Sequence, residues 1–319
     1  MTGSARSPSA AAPPHRSTPL IQWLDDPKDH ALLGGKAGPL ARALAAGLPV
    51  PPGFVVCPAA FAGTADPADV LPGPQAPLLP GAAEAIVRAY RQLAARIGRA
   101  GPWVAVRSSA AAEDLAGASF AGQYDTFLRV RGEHGLLTYV ARCWASLWSE
   151  HAAAYRTHYE RRTGTPLPPP RMAVLVQQLV DATAAGVVFT ADPTTGDRSR
   201  VLINAAWGLG QSLVDGEVEA DTWTLERETL AVLGQSVGHK PTRTGAGPGA
   251  PREPVAEHLR RAPCLTPVQA AMVAALALRA EGVIGGPADV EWALEGGTLW
   301  CLQARPTVSY THLTLPTKA

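Results

Sequence analysis

A glycine-rich segment near the N-terminus, Gly34-Gly35-Lys36-Ala37-Gly38, combines the residue types that bind phosphate. Glycines let a backbone approach phosphate oxygens closely, and the start of a helix presents free N–H groups and the positive end of the helix dipole. Lys36 adds a mobile positive charge. The segment lacks the GxxxxGK[ST] spacing of a P-loop, so an ordinary helix start with an exposed lysine explains it equally well.

A second phosphate-binding candidate is Arg107, which follows the apolar run 104–106 and precedes two serines. At the end of a buried strand, the planar guanidinium can donate to two oxygens of a polyphosphate at once. The alternative is a surface ion pair with Glu113 or Asp114, a few residues further along the chain.

Near the C-terminus, Glu291 and Gln303 lie on two apolar segments that are predicted to pair as neighbouring strands. Because alternate residues of a strand share a face, the Glu291 carboxylate and the Gln303 amide can point to the same side of the sheet. Such oxygen ligands suit Mg²⁺, which keeps several waters and bridges phosphates. Arg305 is expected near the same pocket. The alternative without a metal is a salt bridge between Glu291 and Arg305.

The apolar segment 174–180 is predicted to be a strand whose exposed backbone edge can hold and read an adenine through main-chain hydrogen bonds. This segment alone favours the alternative, a plain core strand. The turn Gly208-Leu209-Gly210 also brings the backbone close to another group, but an isolated GxG is weak evidence for a ligand.

Helices and strands must bring these distant residues together. Helical spacing and capping signals predict helices at about 34–46, 82–97, 136–162 and 267–281. Apolar runs bounded by turn residues predict strands at 54–56, 103–106, 123–130, 172–180, 186–190, 201–205, 289–294 and 298–303. No internal repeat is visible.

Composition limits the classes of function. The chain has 319 residues, and its 28 Lys and Arg against 27 Asp and Glu give a net charge of +1, which argues against a nucleic-acid or membrane-surface binder. No apolar run reaches the roughly 18 residues that span a bilayer. Its four cysteines are scattered without a CxxC pair, which argues against a zinc site and favours the reducing cytoplasm.

Both ends differ in composition from the rest of the chain. Residues 1–19 are rich in Ser, Ala and Pro and are predicted to be a disordered tail, without the apolar core of a signal peptide. Residues 310–319 are threonine-rich and lack the Ala, Gly and Arg bias of the remaining chain. We interpret them as a non-native tail on a truncated gene; the alternative is an ordinary C-terminal tail.

Taken in order, five segments resemble the nucleotide-binding domain of phosphoenolpyruvate synthase (pyruvate, water dikinase). They are GGKAGPLARALAAGLPVPPGFVV, VAVRSSAAAEDLAGASFAGQYDTFL, AAGVVFTADPTTGD, AAWGLGQSLVDGEV and DVEWALEGGTLWCLQARP, and they span roughly residues 31–308. Pyruvate, phosphate dikinase and rifampin phosphotransferase share this domain. The resemblance implies an α+β, ATP-grasp-like fold over residues 20–309, with ATP and Mg²⁺ held in a cleft between two lobes.

The resemblance also implies roles for individual residues. Cations that bind the phosphates and support catalysis would be Lys36, Arg107 and Arg305. Thr126 would contact the nucleotide, the adenine-binding strand would comprise Gln177, Gln178, Leu179 and Val180, and the metal ligands would be Glu291 and Gln303. Three cations and Mg²⁺ offset the charge of the triphosphate, because phosphoryl transfer depends mainly on positioning and charge neutralisation.

In this family, the ATP-binding domain phosphorylates a histidine on a separate domain, which then phosphorylates pyruvate in a third domain. The sequence contains neither of those domains, so the resemblance implies a fragment that needs a phosphohistidine partner and reaches pyruvate only through a missing domain. Position 211 is Gln where the family commonly has Glu, which predicts a weakened site. The alternatives are the ATP-binding domain of a rifampin-phosphotransferase-like enzyme and a non-catalytic ATP-binding regulatory module.

Overall fold

The computed structural model describes residues 18–61, 78–110, 114–115, 118–119, 125–164, 171–214, 216, 218–245 and 252–307. Nearly all of the predicted N-terminal tail and all of the predicted C-terminal tail lie outside these residues. The domain limits at residues 20 and 309 therefore stay predictions.

The described chain is a mixture of helices and antiparallel strands, which confirms the predicted α+β composition. In chain order the strands are β1 (Ile21–Trp23), β2 (Gly53–Val56), β3 (Val104–Ala110), β4 (Asp114–Leu115), β5 (Ala118–Ser119), β6 (Thr126–Val130), β7 (Met172–Gln178), β8 (Ala184–Phe189), β9 (Arg200–Trp207), β10 (Asp221–Glu226), β11 (Val232–Ser236), β12 (Thr242–Arg243), β13 (Glu253–Pro254), β14 (Ala288–Glu295) and β15 (Thr298–Pro306). The helices are α1 (Gly34–Ala45), α2 (Ala82–Ile97), α3 (Glu133–Ala145), α4 (Glu150–Thr163), α5 (Gln211–Val214) and α6 (Pro267–Ile284).

Two antiparallel sheets form the body of the structure. The first sheet has five strands in the order β1-β2-β7-β3-β6, and the second has six in the order β11-β10-β9-β8-β14-β15. Residues 179–183 connect β7 of the first sheet to β8 of the second. The strand predicted for 172–180 ends at Gln178 and lies in the middle of its sheet, so the expectation of an exposed strand edge at this point is wrong.

One hydrophobic core joins the two sheets through α1. Leu40 of α1 packs in the same buried cluster as Leu175 of the first sheet and Trp292 of the second. The backbone reinforces this junction, because the Cys301 N–H of β15 donates to the Pro49 carbonyl at 2.7 Å. A second core lies on the other face of the first sheet, where α2 and α3 pack. Buried apolar contacts and a backbone hydrogen bond therefore connect the two sheets.

Helix α6 covers the second sheet and begins with a capping box. The Thr266 side chain accepts from the Gln269 N–H, and the Gln269 side chain accepts from the Thr266 N–H, so two helix-end donors are satisfied. Among the described residues, α6 is the one helix whose length and composition would also suit a membrane span. Val273, Ala274 and Ala277 nevertheless pack in the core against the sheet, as expected for the central helix of a folded domain.

The prediction of one long helix over 136–162 is wrong. The chain forms α3 and α4, which are separated by a short 3-10 turn at Ser146–Trp148. Ser149 is extended, with φ −60° and ψ 151°, and its side chain accepts from the Ala152 N–H at 3.2 Å. Serine in this position caps a new helix and so interrupts the apolar periodicity that predicted a continuous one.

Candidate functional site

A cavity of about 340 Å³ lies between the two sheets and the connection that joins them. The first sheet contributes β3, β6 and the end of β7 to its walls, and the second sheet contributes β8, β14, β15 and the turn at 208–211. The predicted site residues in its lining are Arg107, Thr126, Gln177, Gln178, Leu179, Val180 and Glu291. Lys36, Gln303 and Arg305 lie outside the lining and are placed by their contacts with neighbouring groups.

Arg107 joins the two sheets at this cavity. Its Nη2 donates to Glu291 Oε2 and to Gln303 Oε1, each at 2.7 Å, and its Nη1 donates to the Leu302 carbonyl at 2.8 Å. The arginine lies on β3, whereas the three acceptors lie on β14 and β15. The Arg107 side chain is 10% exposed and that of Glu291 is 34% exposed, so the arginine is largely shielded from water while the carboxylate keeps partial access to it.

The Nε atom of Arg107 is buried and has no hydrogen-bond partner among the described residues. A buried donor that lacks an acceptor destabilises a fold by roughly 1–3 kcal/mol. An oxygen of a ligand in the cavity could satisfy it. Arg107 therefore keeps one donor that the described residues leave without an acceptor.

Strand register brings the polar residues into two cross-strand pairs. Thr126 lies opposite Arg107 on the first sheet, and Glu291 lies opposite Gln303 on the second. Directly opposed residues share one face of a sheet, so the shared face that alternation predicts for Glu291 and Gln303 is what the structure has. Arg107, Thr126 and Glu291 thus line the cavity, and Gln303 is held beside them by its hydrogen bond from Arg107.

Lys36 lies in the first turn of α1 and contacts β3 through Ser108 and Ser109. Its Nζ is 3.1 Å from Ser108 Oγ, and the backbone N–H groups of Lys36 and Ala37 donate to Ser109 Oγ at 3.1 and 3.0 Å. A Cβ atom on Gly34 would be 1.8 Å from the Ser109 carbonyl oxygen, which explains the glycine at this contact. These hydrogen bonds attach the start of α1 to Ser108 and Ser109, the two residues of β3 that follow Arg107.

Arg305 extends the row of charges along β15. Its Nε donates to Asp289 Oδ2 at 2.8 Å, and the two residues are directly opposite in the β14–β15 pairing. Burial raises the pKa of Asp289, and the Arg305 guanidinium opposes that rise. The ion pair that sequence alone allowed between Glu291 and Arg305 is resolved into two neighbouring pairs, one from Arg107 to Glu291 and one from Arg305 to Asp289.

The opposite end of the cavity is apolar. A small cluster of apolar residues from both sheets forms it, with Ala105, Leu179, Val180, Ala182, Ala185, Leu209 and Ala293 buried at its centre. The N–H groups of Gln178 and Leu179 already donate to the carbonyls of Pro52 and Trp103, each at 2.9 Å. A main-chain N–H donor for a ligand from this segment would therefore come from Val180 and not from the two preceding residues.

Sequence reasoning missed the small residues on the second-sheet side of the cavity. Ala182, Ala185 and Gly186 lie in a run of small side chains at the start of β8. A Cβ on Gly186 would be 1.9 Å from the Asn204 carbonyl oxygen, so glycine is required there by the neighbouring strand. The series of small residues in the sequence could have predicted this part of the cavity, because consecutive small side chains leave space beside a strand.

The oxygen ligands of the site suit a hard cation that takes its remaining ligands from water or phosphate. Glu291 Oε2 and Gln303 Oε1 both accept from the same nitrogen of Arg107, so positive charge is already favoured at the point where they meet. Within the described ranges, no group of three His, Cys, Asp or Glu side chains could hold a metal ion. One carboxylate and one amide oxygen fit Mg²⁺ that keeps waters and bridges phosphates.

Cysteine chemistry does not suit the site. All four cysteines are buried and none forms a disulfide. Burial raises the pKa of Cys57 to about 11 and that of Cys301, on β15 beside the polar cluster, to about 12. Both thiols therefore stay protonated near neutral pH and are poor nucleophiles.

Comparison with known proteins gives a consistent set of similarities. The sequence profile of a family described as pyruvate phosphate dikinase, AMP/ATP-binding domain, matches residues 75–314. The chain is 38% identical over 289 residues to the prodigiosin synthesizing transferase PigC of Serratia marcescens, covering 86% of this chain and 31% of that protein. It is 35% identical over 320 residues to a probable phosphoenolpyruvate synthase of Methanothermobacter thermautotrophicus, covering 91% and 46%.

A rifampicin phosphotransferase of a Streptomyces species is 42% identical over 202 residues, which cover 63% of this chain and 23% of that protein. The chain thus spans between about a quarter and about half of the length of these relatives. A solved structure of D-cycloserine synthetase DcsG aligns with a TM-score of 0.32 at 12% identity, covering 85% of this chain and 62% of that one. Similarity at that level does not define the fold.

Proposed function

The chain belongs to the family of pyruvate phosphate dikinase AMP/ATP-binding domains, and we propose that it binds Mg-ATP in the cavity between its two sheets. The observation that carries this proposal is the contact of Arg107 with Glu291 and Gln303, which brings together a cation from one sheet and two oxygen ligands from the other at the edge of the cavity. An ATP-grasp-like fold, with the sheets as two lobes around the nucleotide, is part of the same proposal.

The base would occupy the apolar end of the cavity. Leu179 and Val180 on the connection and Ala185 on β8 present small or flat apolar surfaces there. An adenine is flat and largely apolar on its faces, and such a slot buries both of them. The Val180 N–H is the main-chain donor of this segment that would read the edge of the base, because the N–H groups of Gln178 and Leu179 are already paired.

The triphosphate would lie at the polar end. Arg107 would exchange its bonds with Glu291 and Gln303 for bonds with phosphate oxygens, and its unpaired Nε would gain an acceptor. Lys36, which contacts β3 beside Arg107, and Arg305, which pairs with Asp289 on β14, would add two further positive charges. Mg²⁺, when bound, neutralises phosphate charge, and Glu291 and Gln303 are the residues that would hold it.

We propose phosphoryl donation from this site to a histidine on a separate domain, as part of the overall reaction ATP + pyruvate + water → AMP + phosphoenolpyruvate + phosphate. No side chain of the site needs to act as a base if the acceptor imidazole is neutral, because positioning and charge neutralisation carry such transfers. The buried thiols without disulfides fit the cytoplasm as the compartment.

A second candidate for the final acceptor is an antibiotic. The rifampicin phosphotransferase shares 42% identity within this segment, and a phosphoenolpyruvate synthase shares 35%. Relatives that are named for reactions with different substrates thus share the segment that is similar to this chain. The acceptor would therefore be chosen by parts of those proteins that this chain does not include.

Calorimetric titration of Mg-ATP into the purified chain and into Arg107→Met tests the proposal. We expect saturable binding with one site for the wild-type chain. The substitution removes hydrogen bonds to charged groups worth about 1.5–3 kcal/mol, so the dissociation constant should rise roughly 10- to 100-fold. The matched control is Arg91→Met, which removes an exposed arginine that pairs with Glu133 away from the cavity.

Binding by Arg91→Met should equal that of the wild-type chain. Circular dichroism must first show that both variants are folded. If folded Arg107→Met binds Mg-ATP as tightly as the wild-type chain, the proposed site is wrong.

A further inference from the structure

Lys240 and Asp221 form an ion pair that is fully buried, outside the cavity described above. Both side chains are 0% exposed, and the Lys240 ammonium donates to Asp221 Oδ1. The same ammonium donates to the Gly238 carbonyl at 3.0 Å. The Asp221 carboxylate also accepts from the N–H groups of Gly238 at 3.0 Å and of Cys264 at 2.7 Å. Every partner of the pair is therefore part of the protein interior.

Stability alone does not explain such a pair. Taking two charges out of water is unfavourable, and apolar residues of similar volume often replace a buried ion pair without loss. The pair and its hydrogen bonds hold three segments of the chain together: the start of β10, residues 238–240 and the segment that ends at Cys264. The Lys240 N–H adds a bond to the Arg260 carbonyl at 2.9 Å.

From Lys240 the chain runs directly to the wall of the cavity. Four residues later, the Thr244 carbonyl accepts from the Leu209 N–H at 2.8 Å. Gly208 has φ +73°, and a Cβ on it would be 2.4 Å from the Thr244 carbonyl oxygen. The strap formed by residues 240–244 is thus pressed against the turn 208–210, and Leu209 and Gly210 line the cavity.

We propose that Lys240 and Asp221 are positioning residues that hold this strap against the turn 208–210 and so set the affinity of the cavity for its nucleotide. Neither side chain touches the cavity, and both act through the Thr244 carbonyl. The link to the nucleotide rests on the proposed function, whereas the link to the turn does not.

The test uses the double variant Lys240→Met/Asp221→Asn in the full chain. It removes both charges together, so no unpaired charge is left buried, and the fold should survive. We expect the exchange of the Leu209 N–H with deuterium to become at least tenfold faster, with Mg-ATP bound at least fivefold more weakly. The Cys57 N–H, which donates to the Leu20 carbonyl in the first sheet, should exchange at its wild-type rate.

The matched control is Arg243→Met, which removes an exposed ion pair with Glu253 from the same strap. It should change neither the exchange of Leu209 nor the affinity. If the double variant does not fold, Gly208→Ala tests the same contact from the opposite side, because its Cβ would displace the Thr244 carbonyl.

Unchanged exchange at Leu209 would overturn the proposal, as would equal acceleration at Leu209 and Cys57, which would indicate general destabilisation. Faster exchange with unchanged affinity would overturn the link to the nucleotide. If the wild-type chain does not bind Mg-ATP at all, the proposed function fails, and selective acceleration at Leu209 would still support the positioning role.

Discussion

Single residues in this protein are constrained most where backbones approach each other. Gly34 has φ +74° and lies so close to β3 that a Cβ would be 1.8 Å from the Ser109 carbonyl oxygen. Gly81 has a similar φ, +81°, but nothing lies within 4 Å of the position of its Cβ. Substitution of Gly81 therefore measures the cost of the left-handed conformation alone, and substitution of Gly34 measures that cost together with the clash against β3.

We predict that Gly34→Ala destabilises the chain by more than Gly81→Ala. The left-handed conformation costs an alanine about 1–2 kcal/mol at either position. At Gly34 the backbone of β3 must also move, so the total loss should exceed about 2 kcal/mol. Urea unfolding of the two variants measures the difference, and equal losses would show that α1 does not press on β3 as described.

Residue types singled out candidate side chains for the site but did not predict how these side chains pair. Lys36, Arg107 and Glu291 were identified as a lysine beside glycines, an arginine at the end of an apolar run and a carboxylate on a strand. The bond from Arg107 to Glu291 joins residues 184 positions apart, and no local pattern encodes a partner at that distance. The roles of these residues in binding stay predictions.

Among the elements, those with clear ends were predicted well. The helix predicted for 82–97 is α2, because its apolar face is periodic and Gly81 and Gly98 take left-handed conformations at its two ends. The strands β10 and β11 were missed. In β10 the alternation of buried Asp221, Trp223 and Leu225 was a usable signal, whereas all five residues of β11 are exposed and show no alternation.

A network around Glu281 connects α6 to neighbouring loops. Its carboxylate accepts from Arg198 at 2.7 Å and from Arg227 at 2.8 and 3.1 Å, and Arg227 also donates to the Thr190 carbonyl. Burial opposes ionisation of Glu281, but the hydrogen bonds from Arg227, Thr190 and Arg198 outweigh it and hold the pKa below the usual value. The ionised carboxylate is therefore the form that stabilises the fold.

We predict that Glu281→Gln lowers the free energy of unfolding by about 1–3 kcal/mol at pH 7, as expected for hydrogen bonds to charged groups. A folded-state pKa below the unfolded value gives stability that is complete above the unfolded pKa, roughly 4.3, and disappears as the pH falls through the folded pKa. The difference between wild type and variant should therefore shrink below about pH 4.3.

Denaturant unfolding at pH 7 and at successively lower pH measures this difference. Glu228→Gln, which removes an exposed carboxylate in the turn between β10 and β11, is the control for the loss of one negative charge and should stay close to the wild-type chain. A difference for Glu281→Gln that stays constant down to acidic pH would contradict the network.

At the scale of the whole molecule, the cavity exists because two sheets share a core and still leave a gap. Helix α1 packs against both sheets, and the connection 179–183 is the short link from β7 to β8. The residue patterns predicted most of these strands but not how they divide into two sheets; only the resemblance to the family implied two lobes around a cleft. That division depends on packing between residues that are distant in the chain.

The most direct test is a crystal structure of the chain with Mg²⁺ and a non-hydrolysable ATP analogue. We predict a triphosphate that accepts hydrogen bonds from Arg107, with the base against Leu179 and Val180 and the metal beside Glu291 and Gln303. A nucleotide bound outside this cavity, with Arg107 still paired to Glu291, would contradict the central claim.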